Sequence, residues 1–157
     1  MATEAQIRAA VKAKIQAVAN VGPVHDYLRY AKNNGALATL FKNTTSGRLN
    51  GWQFLRESFR RIEVDIGLYR RLDTWRVYGF MAIDDADASG HTLQAQLESI
   101  AGAFLADRTL GGLVLDLADM TERAGRVGLQ AELIEPWFFA GVLTLRARCL
   151  LITETEE

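Results

Sequence analysis

Residues 74–83, TWRVYGFMAI, lead through the polar turn DDADASGH (84–91) into TLQAQLESIAGAFLAD (92–107), and this stretch decides the fold class. In the first run Val77, Gly79, Met81 and Ile83 alternate with Arg76, Tyr78, Phe80 and Ala82. Both sets are largely apolar or aromatic, which predicts a central strand covered on both faces. In the run after the turn, Leu93, Leu97, Ile100, Ala101, Phe104 and Leu105 recur at helical spacing and form one wide apolar face. Gly111-Gly112 then breaks the helix. GGLVLDLAD (111–119) is a second strand candidate, with Leu113, Leu115 and Leu117 on one side and Asp116 and Asp119 on the other. WFFAGVLTLRARCLLI (137–152) reads as a long closing strand. Leu143, Leu145, Ala147, Cys149 and Leu151 share one face of it, Thr144, Arg146 and Arg148 the other. Gly141 is read as a bulge, the usual meaning of a glycine inside a strand pattern.

Upstream, Thr3 and Gln6 have the spacing of a capping box, in which each side chain satisfies the other residue's backbone N–H. Ile7, Val11, Ile15 and Val18 fall on one stripe behind it, predicting an amphipathic helix over 4–19 that Gly22-Pro23 terminates. Residues 20–58 mix apolar side chains with the turn clusters Asn33-Asn34-Gly35 and Thr44-Thr45-Ser46-Gly47. They are expected to form a long irregular arm, with either a short helix or extended chain between Leu28 and Leu40. From Phe59 the period becomes two, with Ile62, Val64 and Ile66 against Arg61, Glu63 and Asp65, as in a half-buried strand. The expected fold is α+β: one domain, a mostly antiparallel sheet, two amphipathic helices packed on one face, and the irregular arm. The core is placed at 59–152 and a frayed acidic tail at 153–157.

A chain of 157 residues can bury roughly 70% of its unfolded surface, so its core requires neither metal nor disulfide. Eighteen basic and nineteen acidic side chains leave a formal charge of −1, and no global field recruits nucleic acid or an anionic membrane. No apolar run reaches the length of a membrane span, and the N-terminal helix lacks the uninterrupted apolar stretch of a secretory signal. The expectation is a cytoplasmic address, no membrane partner and no specific nucleic-acid partner. Asn43-Thr44-Thr45 matches a glycosylation sequon, which has no consequence without secretion.

Few residues carry chemistry. Cys149, the single cysteine, lies in an apolar strand and is expected to be an inert core residue. His25 and His91 stand in no metal-ligand spacing, and both are assigned structural or surface roles. Asp84, Asp85 and Asp87 begin like a calcium loop, but the glycine is misplaced and no glutamate closes it at the twelfth position. A capped turn is the expected reading. Gly111-Gly112 lacks the lysine and serine of a phosphate loop, and no serine occupies a nucleophile elbow. No catalytic, metal or cofactor residue is therefore assigned. Arg56, Arg60, Arg61, Arg70, Arg71 and Arg76 are interleaved with Trp52, Phe54, Phe59, Tyr69 and Trp75. Arginine with aromatic residues suits a protein interface, a solvated face, or single-stranded nucleic acid. With acids interspersed and a net charge near zero, a subunit interface is expected, with Arg56, Arg70, Arg71, Trp75 and Arg76 as its candidates.

Two segments, RVYGFMAIDDADASGHTLQAQLESIAGAFL (76–105) and EPWFFAGVLTLRARCLLITE (135–154), with GRLNGWQFLR (47–56) as a weaker echo, carry a resemblance. In these segments and in the order of its elements the chain resembles the tail terminator (tail completion) proteins of long-tailed bacteriophages and the related head–tail joining proteins. That resemblance implies a structural, non-enzymatic virion subunit without cofactors, assembled in the host cytoplasm. It implies a ring, of six copies in the family, that caps the tail tube, stops its polymerisation and presents a surface to the head connector. The implied partners are other copies of the chain, the tail tube protein and a connector or neck protein. A different small oligomeric adaptor, or an enzyme with its site between subunits, are the alternative classes.

Overall fold

A computed structural model describes residues 1–117 and 129–157. The elements run α1 (Glu4–Gln16), β1 (Val24–His25), α2 (Asn34–Leu40), β2 (Asn50–Asp65), β3 (Leu68–Ala82), α3 (Ser89–Ala106), β4 (Asp116–Leu117), β5 (Leu129–Phe139) and β6 (Val142–Glu156). The strands form one sheet in the order β1-β2-β3-β6-β4, and β5 also pairs with β6. Among the described residues β1 and β2 pair in parallel and the other strand pairs are antiparallel. The fold is α+β.

β3 is central because its alternating residues are apolar on both faces. On one face Trp75, Val77 and Met81 join Trp52 and Phe54 of β2 and Ala147, Cys149 and Leu151 of β6. Ile7, Val11 and Ile15 of α1, with Leu93, Leu97, Ile100 and Phe104 of α3, close over them, so both long helices cover this face. The capping box is formed: Gln6 N–H donates to Thr3 Oγ1 at 3.3 Å and Thr3 N–H to Gln6 Oε1 at 2.8 Å. The opposite face is sealed at one end by a smaller cluster of Phe41, Leu49, Phe80 and Ala140, with Leu37 of α2 and Phe139 packed against it. There the Phe80 and Phe139 rings stack at 4.0 Å, and Phe41 meets both edge-on.

The helix boundaries differ from the pattern at the cap residues. α1 stops at Gln16, and Asn20 and Gly22 both take positive φ. The Asn20 carbonyl then accepts from the side-chain amides of Asn43, Asn50 and Gln96 at 3.0–3.2 Å, pinning the loop to β2 and α3. α3 begins three residues earlier than the apolar face indicates. Asp84 N–H donates to Ser89 Oγ at 2.9 Å, while Asp84 Oδ1 accepts from the backbone of Ala86 and Asp87. The acidic stretch is a turn closed on Asp84, but it does not cap α3: the N-cap residue is Ala88, at φ 48° and without a side-chain cap. Arg48 is ion-paired with both Asp84 and Asp87.

Three further expectations are corrected. The stretch 20–58 is largely folded. β1 pairs with β2, α2 is capped by Asn33 through a 2.8 Å bond from Ala36 N–H, and 50–58 already belong to β2. Glycine and asparagine hid this strand, yet Gly51 is required where Phe41 lies against its backbone. The closing strand is in fact two strands. Ala140 (φ 53°) and Gly141 (φ 77°) both adopt the left-handed conformation of a tight hairpin turn, so Gly141 turns the chain and does not bulge it. The tail is not frayed. Thr153, Glu154, Thr155 and Glu156 pair with Asp73, Leu72, Arg71 and Arg70 at the end of β6, and Thr153 and Thr155 are buried. Of the second strand candidate, only Asp116–Leu117 is a strand, paired to β6; Asp119 lies outside the described residues.

Candidate functional site

β2 and β3 are far longer than the core they serve. Residues 50–54 of β2 are buried, Leu55 and Arg56 half-buried, and 57–65 exposed on both faces. β6 supports β3 only from Arg70 onward, so beyond that point the sheet narrows to a two-stranded hairpin with open sides. The loop at its tip is Ile66-Gly67, closed by the Asp65–Leu68 pair. Gly67 takes φ +76°, a conformation glycine adopts without steric cost. Asp65 Oδ1 accepts from Ile66 N–H at 2.7 Å, which holds the turn.

The hairpin face continuous with the helix side of the sheet is ionic. Asp73, fully buried, accepts from Arg56 Nη1 at 3.2 Å and Arg71 Nε at 3.1 Å. The Arg61 guanidinium lies over the Tyr69 ring at 4.9 Å and pairs with Glu157. Beyond the foot, Ile62 pairs across with Arg70 and Leu68 with Asp65, and Val64 falls at the irregularity between Glu63 and Asp65. Val64, Leu68 and the tip residue Ile66 are 45%, 42% and 99% exposed, so among the described residues this apolar set has no cover.

Of the five candidate interface residues, Trp75 is corrected: it is fully buried, and its Nε1–H donates to Thr153 Oγ1 at 3.0 Å. It points to the helix side of a central strand, where alternation outweighs any affinity of indole for interfaces. The four arginines all have partners inside the chain. Arg56 and Arg71 share Asp73, Arg70 binds Glu154 at 2.7 Å, and Arg76 binds Glu57 at 2.7 Å. Burial works against the Arg76 charge, yet the hydrogen bond and charge of Glu57, with Tyr78 adding to them, raise its pKa. These arginines brace the foot of the hairpin. Ile66, read from its alternation as part of a half-buried strand, stands instead in the exposed turn beside Gly67, which the sequence reading did not single out. Their signal was present, since a glycine separates two alternating runs at hairpin spacing.

At the hairpin foot a cleft of about 380 Å³ opens on the helix side, lined by Met1, Ala2, Gln6, the 112–115 turn, Thr155 and Glu156. Met1 and Leu115 stand 81% and 42% exposed in its walls. A second cleft, about 220 Å³, lies between Arg48, Asn50, Met81 and the Asp84–Ser89 turn. Among the described residues no group of three or more His, Cys, Asp or Glu side chains is placed to hold a metal ion, and no helix is long and apolar enough to cross a membrane. His25 Nε2 lies 2.7 Å from the Leu40 carbonyl oxygen and its ring meets Phe41 edge-on, a structural placement. No protein-family model matches the chain, and no curated protein matches it in sequence.

Proposed function

We propose that this chain is a structural assembly subunit of a bacteriophage tail end or neck. Copies of it form a ring that caps the tail tube, stops its polymerisation and presents the head-joining surface. The class comes from the resemblance carried by residues 76–105 and 135–154. The structural observation that supports it is the projecting β2–β3 hairpin. An isolated two-stranded hairpin is marginal in water, and uncovered apolar side chains at its tip mark a contact surface. The braced foot keeps this arm extended, as a subunit reaching for a neighbour requires. In this reading the catalytic and cofactor roles are empty, and the partners are further copies, the tube protein and a connector.

Light scattering over a concentration series tests it. A stable species near six times the 17.4 kDa subunit is expected, together with arrest of growth when the protein is added to polymerising tail tube protein. A monomer at every concentration that neither binds nor arrests tubes refutes it.

A further inference from the structure

We propose that the cleft beside the Asp84–Ser89 turn binds a short primary alkylammonium group, either a free amine or the side chain of a partner's lysine. About 220 Å³ lies open there, between the start of β2, the end of β3 and the first turn of α3. Pockets for drug-sized ligands run to roughly 300–1,000 Å³, so the occupant is a small one. At the deep end of the cleft, Asn50 is 7% exposed and lies on the helix side of β2, as Trp52 does. Its Nδ2 donates to the Asn20 carbonyl at 3.2 Å, whereas its Oδ1 is buried with no hydrogen-bond partner among the described residues. A buried acceptor left unpaired is costly, and the space it borders has room for a donor.

The open end of the cleft is anionic. Asp84 and Asp87 share one cation there, Arg48, which leaves one negative charge in excess. The Arg48 side chain is 51% exposed, and ion pairs at that exposure are weak and readily exchanged. Between the two ends the wall is apolar, with Leu49 and Met81 both buried. A group that matches all of this has N–H donors, a positive charge and a hydrocarbon stem. An alkylammonium has three donors and no acceptor, so in a space this small it can meet the carboxylates and turn one N–H to Asn50 Oδ1. Its stem lies along Leu49 and Met81, as the stems of lysines do on apolar surface. A hard metal cation fits worse. Calcium takes six or more oxygen ligands, and among the described residues no three His, Cys, Asp or Glu side chains are gathered to hold an ion. An anion meets the excess negative charge.

Calorimetric titration of the full chain with 1,4-diaminobutane, and with lysine blocked at its amino and carboxyl ends, tests the site. Saturable binding is expected, and 1-butanol, which keeps the stem and lacks the charge, should give none. Binding of the diamine alone identifies a free amine as the source, and binding of the blocked lysine alone identifies a protein side chain. Asp87→Asn should weaken binding about tenfold, the worth of one charge-assisted hydrogen bond. Arg48→Gln removes the internal competitor and should tighten binding about two- to fivefold. Both side chains are more than half exposed, so the fold is kept, with an unchanged circular dichroism spectrum as the check. No binding of either amine, binding of calcium chloride in their place, equal binding by Asp87→Asn, or loss of binding in Arg48→Gln overturns the site. Ring assembly is not required for it, so the titration and the light-scattering test fail independently.

Discussion

Gly79 sits on the central strand directly beneath the Trp52 indole, and replacing it by alanine should be among the most damaging single-methyl additions in the molecule. A Cβ built there would stand 2.6 Å from Cη2 and Cζ3 and 2.8 Å from Cε3 of Trp52. Carbon atoms pack at about 3.5–4.0 Å, so the ring would have to withdraw by about 1 Å. It has little room to do so. Trp52 is fully buried, and its Nε1–H reaches toward Gln96 Oε1 at 3.4 Å. Gly79 itself is held by pairing to Trp52 on one side and Ala147 on the other. Overpacking of this kind costs about 1–3 kcal/mol, and the fixed backbone places Gly79→Ala near the upper end, ~3 kcal/mol. Urea unfolding followed by fluorescence measures it, with an unchanged m-value as the control for two-state behaviour. Trp52→Phe removes the atoms that collide and should itself cost about 2 kcal/mol through lost burial. The double variant should then be less unstable than the sum by at least ~1 kcal/mol, because the two residues share one space. A Gly79→Ala cost below ~1 kcal/mol, or additivity within ~0.5 kcal/mol, would refute the packing account.

Asp73→Asn leaves Arg56 and Arg71 facing a neutral amide at a buried position, and a loss of about 3 kcal/mol is expected by chemical denaturation; a change under ~1 kcal/mol would show the pairs to be incidental. Asp107 has its carboxyl lowered to about 2, chiefly by the hydrogen bond from Lys14 and then by the Gly111 N–H. Its folded value is depressed, so its contribution is present above its ordinary value of 3.8 and lost as the pH falls through about 2. The stability difference between the native chain and Asp107→Asn should therefore be constant at neutral pH and vanish near pH 2; a difference that persists there would exclude the link. Burial pushes the Cys149 thiol up to about 12. A disulfide reagent at pH 8 should leave it untouched in the folded chain and label it fully in urea, whereas rapid labelling of the folded chain would place it at the surface.

Much of this fold was readable because the chain states it in strong periodic signals. The Thr3–Gln6 capping box, the apolar face from Leu93 to Phe104, and the alternation through Val77–Met81 and Leu145–Leu151 each describe an element that exists. Elsewhere local composition pointed away from what tertiary packing selects. Gly51 lies in a stretch whose composition looks irregular, yet it is a strand position at which a Cβ would stand only 3.0 Å from the Phe41 ring. Thr153 and Thr155 in a tail of glutamates look solvated, yet both are buried at the end of β6. The arginine-rich middle was legible as a special region but not as a brace, because ion pairs such as Arg70–Glu154 join residues distant in sequence. The hairpin tip was missed for a related reason. Alternation alone marks Ile62, Val64 and Ile66 as one face, and their exposure shows only once β6 is seen to stop short of them.

β6 follows every other element along the chain, yet it is hydrogen-bonded on both sides, to β3 along one edge and to β5 and β4 along the other. On the ribosome the β2–β3 hairpin can close at once, since its strands are separated by a two-residue loop, but the β3 edge from Arg70 to Ala82 then waits for a partner that emerges much later. The roughly sixty residues between Ala82 and Val142 take about 3–12 s to make at typical elongation rates. During that interval α1, and α3 once it has been made, have only part of a sheet to cover, and the β3 edge stays unpaired. The vulnerable period in the life of this protein is therefore its synthesis, and its yield should depend on how quickly the final strand is delivered.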